Sequence, residues 1–181
     1  PGNVDPEDEL NYAKQSLSMI ADEIHRYEGT ITQFRADGVI AFFGAPIAHE
    51  YATQRGLYAA LGIKQRLKSY RDQLKEQGVD LEVRVGINNG PIVITNIGDD
   101  LSIEYTSIGD TVSLASYMNH SAEAGTLLAS ENTYGLTKDY FEYEPAGSVK
   151  IKGRKEPLKA YRVLGLGKAR TRLRAAMSRG L

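Results

Sequence analysis

One carboxylate of this chain stands where a hairpin could aim it outward: Asp37, in QFRADGVIAFFGAP (33–46), between two β-prone runs. Asp-Gly is a favoured dipeptide for a tight turn and needs no metal to form one. A carboxylate at a turn is also the hard oxygen donor that Mg²⁺ and Mn²⁺ prefer. On the residues alone both readings stand. The chain has no cysteine, so a thiolate zinc site, a Cys nucleophile and a disulfide framework are excluded, and any metal must sit on oxygen or imidazole. His25, His49 and His120 lack metal-ligand spacing and read as surface or helix-end residues.

The chain that must position such a group has 181 residues, enough for one domain with a real core plus a tail. With 41% hydrophobic and 25% charged residues it has a soluble globular composition. A net charge of -1 argues against a generic nucleic-acid binder, which needs a surplus of Lys and Arg. No apolar stretch approaches the ~20 residues of a membrane helix and no signal-peptide pattern opens the chain, so no membrane partner and a cytoplasmic location are the expectation. A start at Pro1 and a basic end give the expectation of a piece of a longer protein.

The positioning elements follow from periodicity. DPED (5–8) predicts a helix start, with Asp5 as N-cap, Pro6 first in the helix and acids in the first turn. Leu10, Ala13, Leu17, Ile20, Ile24 and Tyr27 recur every three or four residues, a stripe expected to face the core, and Gly29 is the expected stop. Thr30–Phe34 and Val39–Phe43 predict a hairpin around RADG. A second helix is expected over His49–Gln77, through Ala52, Ala59, Ala60, Ile63, Leu67, Tyr70 and Leu74, with Gly78 as its stop. LEVRVGIN (81–88) and GPIVITNIG (90–98) predict a further hairpin around NNG. SIEYTSIG leads into a short helix in DTVSLASYMNHS; GTLLAS, YFEYEP, SVKIKG and LKAYRVL read as strand or turn pieces. The whole predicts an α+β domain over 1–166 with an antiparallel-rich sheet carrying helices, then a basic linker or helix over 167–181.

These motifs resemble the class III nucleotidyl cyclase catalytic domain, the family of adenylyl and guanylyl cyclases. RADGVIAFFGAPIAHE is similar to the family's metal-binding hairpin and the segment after it. VRVGINNGPIVITNIG resembles its next hairpin, YTSIGDTVSLAS the strand-to-helix segment that carries catalytic side chains, and VKIKGRKEPLKAYRV the C-terminal strand pair. The resemblance implies a ferredoxin-like βαββαβ core whose first strand has no counterpart in this chain. The tail ARTRLRAAMSRGL is similar to the junction at which bacterial cyclase-homology domains lead into a P-loop signalling ATPase, which implies such a partner in the same polypeptide.

The resemblance also implies chemistry. Family members convert ATP or GTP to the 3′,5′-cyclic monophosphate and pyrophosphate, with two Mg²⁺ or Mn²⁺ ions bridged by two aspartates and an active site shared across a homodimer. One ion lowers the pKa of the attacking hydroxyl and the other neutralises phosphate charge. Asp37 takes the position of one aspartate; the other belongs to the first strand. Gln33 stands where adenylyl cyclases usually place a base-reading Lys, and Thr106 matches the second base-reading position. Lys152 matches a phosphate-contacting Lys. Ser113 and Tyr117 replace the family's catalytic Asn and Arg, and a Tyr cannot supply a guanidinium's permanent charge or rigid donor fork. The expectation is an adenylyl-cyclase-like domain of weak or no activity. A degenerate module that binds a nucleotide or dimerises to regulate an attached ATPase, and a pure scaffold, stand beside it.

Overall fold

The computed structural model describes residues 4–35, 38–97, 100–104, 111–167 and 177. The first helix, α1 (Pro6–Arg26), opens as its sequence predicts: the Asp5 side chain accepts a hydrogen bond from the Glu7 N–H at 3.0 Å, with Pro6 behind it and Glu7, Asp8 and Glu9 in the first turn. Its core face is rotated from the expected stripe. Tyr12, Met19, Ile20 and Ile24 pack on the second helix, whereas Leu10, about 200° round from Tyr12, is 54% exposed. The left-handed residue at its end is Glu28 (φ 65) rather than Gly29. Gly29 is needed for space, since a Cβ there would lie 2.6 Å from the Phe43 ring and 2.7 Å from Ile24.

Strands β1 (Thr30–Arg35) and β2 (Gly38–Phe42) form the expected antiparallel hairpin, a two-stranded sheet of its own. Helix α2 (Ala52–Lys75) follows, ends before Gly78 (φ 77), and buries Ala59, Ala60, Ile63, Leu67, Tyr70 and Leu74 as the pattern predicts.

The next region corrects the sequence reading. Segments 81–88 and 90–98 do not pair with each other: β3 is only Val85–Ile87, and it runs parallel to β6 (Leu127–Ser130). Strand β4 (Val93–Ile97) pairs instead with β5 (Asp100–Glu104) in a separate antiparallel ribbon. The Asn-Asn-Gly segment is therefore no hairpin turn. Its side-chain amides are engaged in holding helices, as described below.

Helix α3 (Thr111–Ser121) precedes β6, and a short helix α4 (Glu131–Thr137), which periodicity did not reveal, follows it. Strands β7 (Phe141–Val149) and β8 (Leu158–Leu166) complete a four-stranded sheet of order β3-β6-β8-β7. The run SVKIKG is thus the end of β7 and a turn, not a strand of its own. One face of this sheet packs on α2 through Leu57, Tyr58, Leu127, Ala129, Phe141 and Val163. The other packs on α3 through Leu114, Met118, Leu128, Leu158 and Ala160. In the C-terminal tail only Met177 is described; it is half-buried against the Leu57 cluster.

Candidate functional site

The β1–β2 hairpin carries Gln33, and a bulge decides which way it faces. Ile31 pairs with Ala41, but the next register partner is Gln33 with Ile40, leaving Thr32 as the extra residue. Ile31, Val39 and Ala41 pack into the α1–α2 cluster. Without the bulge, Gln33 would share Ile31's inward face, because side chains alternate along a strand. The extra residue moves Gln33 and Arg35 to the opposite face, a known use of bulges next to functional sites. Thr32 fixes it by donating its hydroxyl hydrogen to the Ile40 carbonyl at 3.2 Å. On that outer face the Arg35 guanidinium donates from Nη2 to Gln33 Oε1 at 3.0 Å.

Helix α3 carries Ser113, exposed, and Tyr117 one turn later. Tyr117 is half-buried and packs against the Leu114–Met118–Ile151 cluster. The helix lies close on β3: a Cβ at Gly86 would fall on the Ala115 carbonyl oxygen and the Asn119 amide nitrogen, so only glycine fits. Its first residue is held by the Asn-Asn-Gly segment. Asn88 Nδ2 donates to the Thr111 carbonyl at 3.0 Å, Asn88 Oδ1 accepts from Ser130 Oγ at 2.6 Å, and Thr111 Oγ1 donates to the Pro91 carbonyl at 2.6 Å. Asn89 does the same for two other helices, donating to Thr53 Oγ1 at 2.7 Å and accepting from Thr133 Oγ1 at 2.9 Å. Ser130 and Thr133 are fully buried, so the two amide oxygens satisfy hydroxyls that have no water to turn to.

Lys152 is exposed in the turn between β7 and β8, one residue after the buried Ile151. That turn closes with the Arg154 N–H donating to the Ile151 carbonyl at 3.1 Å and Gly153 at φ 88. Because Ile151 belongs to the cluster that Tyr117 packs on, the Lys152 turn and the Ser113–Tyr117 helix are neighbours. Gln33 sits on the separate β1–β2 sheet. Asp37 and Thr106 lie outside the described residues.

Residues 36–165 match the model of the adenylate and guanylate cyclase catalytic domain. The chain belongs to this family. It is 30% identical over 167 residues to adenylate cyclase 1 of Rhizobium meliloti (strain 1021), a match covering 91% of this chain and 25% of that protein. Its fold superposes on the adenylyl cyclase CyaB from P. aeruginosa with a TM-score of 0.80 at 29% identity, over 92% of this chain and 87% of the other. For the guanylyl cyclase Cya2 the values are 0.79 and 27%, over 93% and 86%. The α+β architecture is therefore the class III cyclase fold. The chain spans about a quarter of the length of the adenylate cyclase it matches.

Within this cyclase domain the described residues do not make a two-ion centre: no three of His, Asp and Glu converge among them. Asp5 is occupied as a helix cap. His49 Nδ1 meets Glu28 at 3.0 Å, and His120 Nδ1 lies 2.7 Å from the Ser116 carbonyl. Three participants escaped sequence reasoning. Arg35 was unnoticed because a bulge leaves no compositional mark. Asn88 and Asn89 passed for turn residues because Asn-Gly is so strong a turn signal.

Proposed function

We propose that this cyclase domain, in the intact dimer, acts on ATP to form 3′,5′-cyclic AMP and pyrophosphate, with low turnover. Membership of the family over 36–165 is the observation that carries this reading; the low turnover follows from reading Ser113 and Tyr117 as substitutions at catalytic positions. In the reaction the ribose 3′ oxygen bonds to the α-phosphorus, the bond to the departing pyrophosphate breaks, and the hydroxyl proton leaves. Gln33 and Thr106 would address the base, Ser113 the ribose, and Lys152 the phosphates. The bulge that turns Gln33 outward and the exposure of Ser113 and Lys152 support those roles. Asp37 would be a ligand for the Mg²⁺ or Mn²⁺ this chemistry uses. Losing electrostatic stabilisation of the kind an Arg provides costs roughly 10²- to 10³-fold in rate.

A specific observation favours a second reading. Tyr117 is packed into an apolar cluster rather than presented as a polar group, as expected of a module that binds nucleotide or dimerises to regulate an attached domain such as a signalling ATPase. The test is cyclic nucleotide formation from ATP and from GTP with Mn²⁺, in a protein that includes the segment upstream of residue 1. Turnover abolished by Asp37→Ala establishes the enzyme. Nucleotide binding without product establishes the regulatory module.

A further inference from the structure

We propose that Arg35 is a specificity-determining positioning residue: by holding the carbonyl end of the Gln33 amide, it turns the NH₂ end of Gln33 toward the base and so favours adenine over guanine. This rests on the assignment of Gln33 to the base.

A guanidinium has five N–H donors and no acceptor. The atom it meets at 3.0 Å must therefore be the carbonyl oxygen of Gln33, and the NH₂ group is the end left to face a ligand. The two side chains are placed for this by register. With Gln33 opposite Ile40 and Arg35 opposite Gly38, both project from one face of β1, two residues apart, away from the α1–α2 core. Gly38 has no side chain to compete for that space, and nothing lies within 4 Å of its Cβ position.

The purine edges differ in what they ask of such a group. Adenine presents a bare ring nitrogen, N1, as an acceptor beside its N6 amino donor. Guanine presents N–H donors at N1 and N2 beside the O6 acceptor. A free glutamine amide serves either base, because rotating its end by 180° exchanges donor for acceptor. A Gln33 whose NH₂ end is held toward the base meets adenine N1 favourably and sets donor against donor at guanine N1. Discrimination thus arises from a blocked alternative as much as from an added contact. A single hydrogen bond in a half-exposed setting is worth roughly 3- to 10-fold in a binding ratio.

The experiment is equilibrium binding of N-methylanthraniloyl derivatives of ATP and GTP to the full-length protein with Mn²⁺, read as the ratio of the two dissociation constants. Wild type is expected to prefer the ATP derivative, and Arg35→Ala to move that ratio toward parity by about 3- to 10-fold. A lysine is a donor with no orienting partner needed, so in a Gln33→Lys background Arg35→Ala should leave the ratio unchanged. Equal weakening of both nucleotides by Arg35→Ala, with the ratio intact, would overturn the proposal by showing that Arg35 acts only through its charge. The same ratio change in the Gln33→Lys background would overturn it by showing direct contact with the base. If neither nucleotide binds the wild type, the nucleotide reading of the whole site fails with it.

Discussion

Helix α3 has two sides with opposite characters. Its inner side is fully engaged: Gly86 lets β3 press against its backbone, and Asn88 fixes its first carbonyl. Its other side carries Ser113, exposed, and Tyr117, half-buried against the Ile151 cluster, the two positions proposed above to correspond to the family's Asn and Arg. On that proposed assignment the support of the helix is kept while the groups it would display have changed. A buried polar network must be satisfied in full or it destabilises the fold, so its members constrain one another. An exposed serine is under no such constraint. The difference teaches that the two sides should respond differently to mutation.

The largest effect is expected on the inner side. Gly86→Ala sets a methyl group on backbone atoms of α3, which cannot swing away as a side chain would. The helix must shift off the sheet, at a cost of about 3 kcal/mol or more. Thermal denaturation should show the midpoint falling by roughly 6–12 °C. A fall under about 2 °C would mean that α3 is not held as tightly as its geometry indicates.

Next comes the other side. On the proposed assignment, Ser113→Asn combined with Tyr117→Arg supplies the family's catalytic side chains and should raise cyclic AMP formation by about 10²-fold, roughly 2.7 kcal/mol in the barrier. Tyr117 gives up its packing in that exchange, so the thermal midpoint should drop slightly as activity rises. Unchanged activity with nucleotide binding intact would show that the site diverged elsewhere and would favour the regulatory module.

How far the sequence could foretell this arrangement depends on the kind of signal each part leaves. Helix α1 and its Asp5 cap, the buried face of α2 and the Gly78 stop were legible because periodicity and caps are local. The parallel pairing of β3 with β6 was not, because it joins Val85 to Leu127 across the β4–β5 ribbon and helix α3, and the strand spans only three residues. Helix α4 was hidden by Thr133, Gly135 and Thr137, poor helix formers held in place by tertiary contacts. At the candidate site, motif likeness picked out Gln33, Ser113, Tyr117 and Lys152. It could not show that Gln33 owes its direction to a bulge at Thr32, or that Tyr117 faces an apolar cluster.

A smaller effect is expected from Asn89, which joins α2 to α4. Asn89→Ala removes one hydrogen-bond partner from each of the Thr53 and Thr133 hydroxyls, and the Thr133 hydroxyl, wholly buried, keeps among the described residues only the long 3.4 Å contact with Ser130 Oγ. The expected cost is about 2 kcal/mol, or roughly 4–8 °C in the thermal midpoint. Asn89→Asp keeps the acceptor for Thr133 and loses only the donor to Thr53, so it should cost less at neutral pH. Equal losses in the two variants would mean that the Thr53 bond alone matters.

The smallest effect reads the far end of the same chain of hydroxyls. Thr133 receives at its carbonyl the Thr137 hydroxyl at 2.7 Å, and Thr137 Oγ1 lies 2.5 Å from the Tyr143 hydroxyl. With Thr137's one proton given to Thr133, Tyr143 must be the donor to Thr137. Burial pushes the Tyr143 phenol up to about 12 from its ordinary 10.0, and neighbouring Tyr134 adds to the rise; the Thr137 hydroxyl could stabilise a phenolate, and so lower it, only by releasing Thr133. A group whose pKa is raised on folding keeps the folded state protonated while the unfolded chain ionises. Its stabilisation is therefore complete below about pH 10 and is lost as pH climbs through about 12. Denaturation midpoints should hold steady up to that window and then fall, and Tyr143→Phe should flatten the fall while lowering the plateau slightly. An unchanged alkaline slope in Tyr143→Phe would place the titrating group elsewhere, with Tyr70, also raised by burial and by Tyr12 beside it, the next to replace.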